Sequence, residues 1–345
     1  MQHHAGLFNE AASSSLFGEI VFFPSPDASA ISLVIPTYNR GDLIGETIDS
    51  ALRQQRPFAE IIVVDDGSTD ATAAVLARFG ERIRVIRVAN GGVQRARNTG
   101  VAAARTDWVA LCDSDDLLEP GYCATLDDWL RVQPACDAVY CNFVPFDDDG
   151  DQPDKFSQAP ASFFAGARRD GAFWSAVPDL YLRTLGYQPL FPSGSLVRKS
   201  TYETIGGYDP RFNRVGAEDW EFVLRLAAAA RISLCATPLV RVRKHANNDS
   251  VDNDRQIRGC VQILEFALEH HPHASQYRNA IERGIDERRV LLFDGAFARG
   301  EFDRAAELLG QFRRRPHERR FRLKVFITRL PRLLRQPLWR ATQSA

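Results

Sequence analysis

Short apolar runs that end abruptly in polar clusters alternate with segments of helical period along this chain. Residues 31–35 (ISLVI), 61–64 and 108–112 (WVALC) are apolar runs of strand length, which predicts buried strands, and 83–88 reads as a further strand. Between them Ile44, Ile48, Ala51 and Leu52 recur at helical spacing from Asp42 to about Gln55, residues 71–79 follow the same period, and a further helix opens after Gly91 and Gly92. Strand, loop and helix in repetition predict a doubly wound, mostly parallel α/β sheet with helices on both faces, since helical crossovers join parallel strands. Pro36 is expected to stop the first strand, because proline has no N–H for a central ladder.

In such sheets ligands bind beyond the carboxyl ends of the strands. PTYNR (36–40), DDGSTD (65–70) and DSDD (113–116) all fall there, so one crevice is expected to gather all three. The third cluster is costly, because crowded carboxylates repel and lose hydration unless a cation or donors compensate. Asp113 and Asp115 are two apart; on a continuing strand they would face one side and could share a hard divalent ion. The alternative is a polar loop capping a helix that starts near Leu117.

The remainder places these motifs in a larger frame. Residues 1–30 read as an extension with at most one added strand, at 20–23, and His3 and His4 as incidental. After residue 250 the apolar positions are helical, from Ile257, Val261 and Leu264 to Phe293, Phe297 and Leu308. The 345 residues carry a formal net charge of −1, which argues against nucleic acid as a partner. Six scattered cysteines without a C-x-x-C pair are expected to be reduced core residues of a cytoplasmic protein. No basic-then-apolar leader and no apolar stretch of about 18 residues is present, so neither a signal peptide nor a spanning helix is expected. The tail at 313–340 is rich in arginine, with Glu318 its one acid and Phe321, Phe326, Leu333, Leu334, Leu338 and Trp339 interleaved. It either lies on an anionic membrane surface, making the protein peripheral on the inner face, or packs on the domain with its arginines solvated.

Seven stretches, ISLVIPTYNR, VVDDGSTD, NGGVQRARNTG, LCDSDDLLEP, FPSGSLVRKSTYETIGGYDPRF, GAEDWEFVLRLA and RVRKHANNDS, resemble in this order the family 2 inverting glycosyltransferases of GT-A fold, over about residues 31–250. The resemblance implies a nucleotide-binding half at 31–120, an acceptor-binding half at 121–250 and a helical C-terminal region at 251–345. It implies that Pro36, Thr37, Tyr38 and Asp66 hold the nucleoside, with Arg97, Asp113 and Ser114 completing the nucleotide-sugar site; Arg97 alternatively only neutralises the aspartates. Asp113 and Asp115, with His245, would hold Mg²⁺ or Mn²⁺, and Asp116 would stand behind them or cap a helix. Asp219 would be the general base for the acceptor hydroxyl, with Glu218 orienting it; the competing reading is that both acids merely suit the dipole of a first helical turn.

The implied reaction moves one sugar from a nucleotide-diphosphate sugar to a glycan or lipid-linked acceptor, as in cell-surface polysaccharide synthesis. Processive synthesis is not expected without a Q-x-x-R-W motif or channel helices. A sugar nucleotidyltransferase would need a glycine-rich basic loop where PTYNR stands. A non-catalytic nucleotide- or glycan-binding relative, held to membranes by the tail, is the alternative from another class. Residues 143–188 carry no readable code, so the acceptor is not specified.

Overall fold

The protein is described by a computed structural model over residues 29–245 and 252–343. The expected strand at 20–23 and residues 246–250 of the last motif lie outside the described residues. The strands are β1 (Ile31–Thr37), β2 (Glu60–Asp65), β3 (Arg84–Arg87), β4 (Trp108–Leu111), β5 (Leu117–Leu118), β6 (Ala138–Asp147), β7 (Gly150–Asp151), β8 (Arg168–Asp170), β9 (Phe173–Ser175), β10 (Ser195–Arg198) and β11 (Ile232–Arg243). The helices are α1 (Ile44–Leu52), α2 (Thr72–Ala77), α3 (Val93–Ala103), α4 (Tyr122–Val132), α5 (Leu180–Gly186), α6 (Lys199–Thr204), α7 (Glu218–Ala229), α8 (Asn253–His270), α9 (Ala274–Ala298), α10 (Phe302–Gln311), α11 (Arg319–Arg329) and α12 (Arg332–Gln343).

All strands join one sheet in the order β3-β2-β1-β4-β10-β6-β11-β9-β8, with β5 beside β11 and β7 beside β6. The first four in space are parallel, as the crossover helices require; β10 then runs antiparallel between β4 and β6, and β11 pairs parallel with β6. Alternation along β1 sends Val34 to one core with α3, α7, α8 and α9, and Leu33 and Ile35 to a second core with α1 and α4. Both faces are therefore covered at β1, β2 and β4, which explains why these read as continuous apolar runs, whereas the edge strand β3 (RVIR) is largely exposed. Helix α3 lies so near the sheet that a Cβ at Gly100 would stand 2.2 Å from a Val34 methyl. The helical C-terminal region shares the first core through Val261, Leu264 and Phe293. No helix among the described residues is long and apolar enough to cross a membrane.

Three local expectations are corrected. β1 continues through Pro36 to Thr37, because even-numbered residues of β1 point their backbone groups at β4, whose pairing has ended with Cys112 N donating to Val34 O. The missing N–H of Pro36 thus faces no strand. No helix starts near Leu117: Leu117 and Leu118 pair with Arg241 and Val240 of β11, and α4 begins only after Pro120 and Gly121. Finally β4 stops at Leu111, so Asp113 and Asp115 sit in a turn closed by Asp116 N on Asp113 O at 3.2 Å, and strand alternation does not orient them.

Candidate active site

The loops after β1 and β2 are latched together. Asn39, in the left-handed region at φ 50°, takes Ser68 Oγ on its backbone N–H and accepts from Thr69 N on its side chain, while Arg40 N and Gly41 N donate to Thr72 Oγ1 and Asp70 Oδ2. Short polar residues tolerate this conformation and bond neighbouring backbone, which is why the sequence places them here. Asp66 is buried; its Oδ1 and Oδ2 each accept from a backbone N–H, of Gly91 and Gly92, at 2.8 Å. It thereby fixes the turn from which α3 departs, with Gly92 at φ 92°. Pro36 and Thr37 close β1, and Tyr38 is exposed at its end.

The acidic cluster divides in two. Arg97, 4% exposed on α3, donates from Nη2 to Asp113 Oδ1 at 2.6 Å and lies over the Tyr208 ring at 4.9 Å. Burial opposes its charge, but the Asp113 carboxylate beside it more than compensates and raises its pKa above the ordinary value. Asp115 turns the other way: its Oδ2 meets His245 Nε2 at 3.2 Å and Arg40 Nε at 3.6 Å. Asp116 is fully buried and takes Arg243 N at 3.0 Å and Ser193 Oγ at 2.5 Å, while that same Ser193 hydroxyl accepts from Asp113 N. Burial, with Asp115 and Asp113 adding repulsion, pushes the Asp116 carboxyl well above the usual range. Asp116 is therefore a strut between β4, β11 and the 192–194 turn, and caps no helix. Ser114 is buried within the turn.

Across the crevice stands the first turn of α7. Gly216 and Ala217 are both left-handed, at φ 94° and 55°, and turn the chain sharply into Glu218 and Asp219. Asp219 is half-buried; burial raises its pKa to about 7, Glu218 and Asp113 add to the rise, and Arg97 opposes it. Arg97 and Asp113 thus act on Asp219 electrostatically although they stand on different elements. Behind it the network is dense. Glu221 accepts both Arg225 Nε and Nη2 at 2.6 Å and meets His271 Nε2 at 3.3 Å, and Arg225 also donates to the carbonyls of Ile205 and Gly207. That ties α7 to the left-handed Gly206–Gly207 turn and to the end of α8.

The structure thus pairs Asp113 with Arg97, within electrostatic reach of Asp219 across the crevice, and pairs Asp115 separately with His245. It does not bring Asp113 into a common ligand set with them; among the described residues no group of three or more His, Cys, Asp or Glu side chains is arranged to hold a metal. Arg40, Gln94, Ser193 and Tyr208 all lie within the quoted motifs but had no expected task, and the buried Gln94 amide has neither end paired among the described residues. A lone glutamine after a glycine turn carries no signal of its own. A cavity of about 550 Å³ lies at the other end of α7, beside Tyr181, Ala230 and Tyr277, and contains none of these residues.

A mixed, mostly parallel sheet with polar loops at the ends of β1, β2 and β4, and an acidic helix start among the elements that follow, is the GT-A class of fold. Residues 32–183 match the family model described as Glycosyl transferase family 2. The chain is 35% identical over 122 residues to the glycosyltransferase GlyG of Streptococcus pneumoniae serotype 4, covering 34% of this chain and 40% of that protein. It is 44% identical over 92 residues to the succinoglycan biosynthesis protein ExoO of Rhizobium meliloti, 26% of each. The chain therefore spans well under two thirds of either relative. The crystal structure of S. aureus TarS residues 1–349 in complex with UDP-GlcNAc superposes with a TM-score of 0.59 at 19% identity, covering 82% of this chain and 80% of that one. The match to glycosyltransferase family 2 thus covers residues 32–183 of this chain.

Proposed function

We propose that the protein is an inverting glycosyltransferase that moves a single sugar from a nucleotide-diphosphate sugar to a hydroxyl of a glycan or lipid-linked acceptor, in the cytoplasm, for cell-surface polysaccharide or glycoconjugate synthesis. One observation carries the reading: Asp219, with its pKa raised to about 7 at the mouth of α7, faces the Arg97–Asp113 pair at the end of β4. A base poised near neutrality accepts the acceptor proton most effectively, and attack from its side, opposite the departing diphosphate, inverts the anomeric carbon. Glu218 stands beside it to orient the acceptor. On the donor side Thr37 Oγ1, the Gln94 amide and Arg97 Nε are buried without partners among the described residues, groups that a nucleotide would satisfy. Pro36, Tyr38, Asp66 and Ser114 complete the walls of that half.

Asp115 and His245 supply a carboxylate and an imidazole in contact, donor types that suit a divalent cation of the Mg²⁺ or Mn²⁺ kind whose remaining ligands would be substrate oxygens. Such an ion, when bound, would neutralise charge on the leaving diphosphate. Support for the donor class comes from TarS, solved with UDP-GlcNAc, and for polysaccharide synthesis from ExoO.

The test is calorimetric binding of UDP, GDP, dTDP and CMP, each with Mn²⁺ and with chelator, followed by transfer assays with the matching sugar nucleotides. Metal-dependent binding of one diphosphate and transfer with inversion are expected. Binding without transfer or hydrolysis on any acceptor would favour a non-catalytic role.

A further inference from the structure

The basic tail does two things at once. Its inner side is fastened to the helical region: Phe321 and Ile327 are buried, Trp339 Nε1 donates to Phe297 O at 2.7 Å, and Lys324 pairs with Asp294 at 2.8 Å. The outer side has no such cover among the described residues. Leu323, Phe326, Leu333, Leu334 and Leu338 are 51%, 58%, 89%, 57% and 45% exposed, half of the ten large apolar side chains that stand exposed among the described residues. Concentrating so many within two short helices marks an interaction surface, since scattered single exposures need no explanation but a contiguous patch does.

The charge around this patch identifies its partner. Seven arginines and one lysine lie between 319 and 340, with no acid, in a chain whose net charge is −1. Arg320, Arg322, Arg329 and Arg332 are exposed beside the leucines. A second copy of this chain would bring like charges face to face, which opposes a self-complementary contact. Aliphatic and phenyl side chains ringed by cations instead match an anionic bilayer, whose headgroups attract the arginines and whose acyl boundary takes the leucines.

A chain of contacts links the inner side of the tail to the loop before α7. Gly300 packs against the Trp339 ring, Arg299 pairs with Asp254 in the first turn of α8 at 2.8 Å, and the carbonyl of Arg255 abuts Gly216, two residues before Glu218. We infer that the outer face of α11 and α12 is a docking surface for an anionic phospholipid membrane, coupled through these contacts to the end of α7 that carries Glu218 and Asp219. The inference stands whichever sugar is transferred, and its test needs no turnover.

The full chain is sedimented with vesicles of phosphatidylcholine alone and of equal parts phosphatidylcholine and phosphatidylglycerol, at low and high salt. Binding is expected only to the anionic vesicles, weakening as salt rises. The variant Leu333→Glu with Leu334→Glu, with wild-type thermal unfolding because both side chains are exposed, is expected to bind at least about tenfold more weakly. The variant Arg320→Gln with Arg322→Gln should lose both affinity and salt dependence. Equal pelleting with neutral and anionic vesicles, no pelleting, or unaltered binding of the leucine variant would overturn the inference. So would light scattering that shows a wild-type dimer dispersed by the leucine substitutions, since the face would then be a contact between copies.

Discussion

Gly259 of α8 approaches Gly216 so closely that a Cβ at position 259 would stand 2.1 Å from the carbonyl oxygen of Gly216. The helical C-terminal region is therefore a buttress for the loop that delivers Glu218 and Asp219. Backbone cannot yield there without moving the turn at Gly216 and Ala217. Gly259→Ala is expected to lower turnover about tenfold to a hundredfold while leaving calorimetric affinity for the nucleotide near wild type, because a displacement of about 1 Å at a reacting group costs that much. Equal loss of donor affinity would show that the buttress serves the whole fold instead.

Asp219→Asn should lower turnover about 10²–10⁴-fold with donor binding largely kept. Because the raised pKa of Asp219 places its ionisation near 7, wild-type turnover should climb as pH rises through about 7 and level above it. The same shift bears on stability. Asp219 has a folded pKa above its usual 3.8, so its ionised form opposes folding: its contribution is neutral at low pH and turns unfavourable as pH rises toward and through about 7. The Asn variant should thus be more stable than wild type at pH 8, by at most about 4 kcal/mol, and indistinguishable near pH 3. Urea unfolding at both pH values would check this.

Arg97 lowers the pKa of Asp219 as well as pairing with Asp113. Arg97→Gln should move the rise in the pH–rate profile to higher pH and destabilise the chain by about 1–3 kcal/mol, less than for a fully buried pair because the Asp113 side chain is 22% exposed. A profile unmoved on the pH axis would confine Arg97 to donor binding.

Glu221 is held ionised by Arg225 and His271, which outweigh the opposing effect of its burial and set its pKa below the ordinary 4.5. Glu221→Gln should cost about 3 kcal/mol near neutral pH, since Arg225 loses a bidentate partner in a mostly buried setting. With a folded pKa below the unfolded one, that advantage is present above about pH 4.5 and fades as pH falls through the folded value. Thermal unfolding of the two forms across the acid range should converge.

For the cation, Asp115→Asn and His245→Ala should each weaken Mn²⁺-dependent diphosphate binding about tenfold or more, with metal-free binding unchanged. If Asp113→Asn alone abolished the metal dependence, the ion would sit with the Arg97 pair and not with His245.

Much of this was legible in the chain. The alternation of apolar runs and helical periods specified the parallel half of the sheet, because a strand buried on both faces must be apolar throughout and the polar residues are left to its ends. That alone placed PTYNR, DDGSTD and DSDD at one edge, whereas the acids at the start of α7 were singled out only by the family resemblance, since their type and position equally suit a helix dipole. Tertiary structure decided what each carboxylate does. Asp66, Asp113, Asp115 and Asp116 look alike in sequence, yet one braces a glycine turn, one meets Arg97, one meets His245 and one is a buried strut. Their partners lie 16 to 130 residues away along the chain, or across β10 and β11, and no local period encodes such distances. The same holds for Gly259: its closeness to Gly216 arises only when α8 folds back on α7, and a glycine within a helical run reads beforehand as nothing more than a weak helix former. Local periodicity reports which face of an element is buried; which side chains meet in that burial is set by long-range packing.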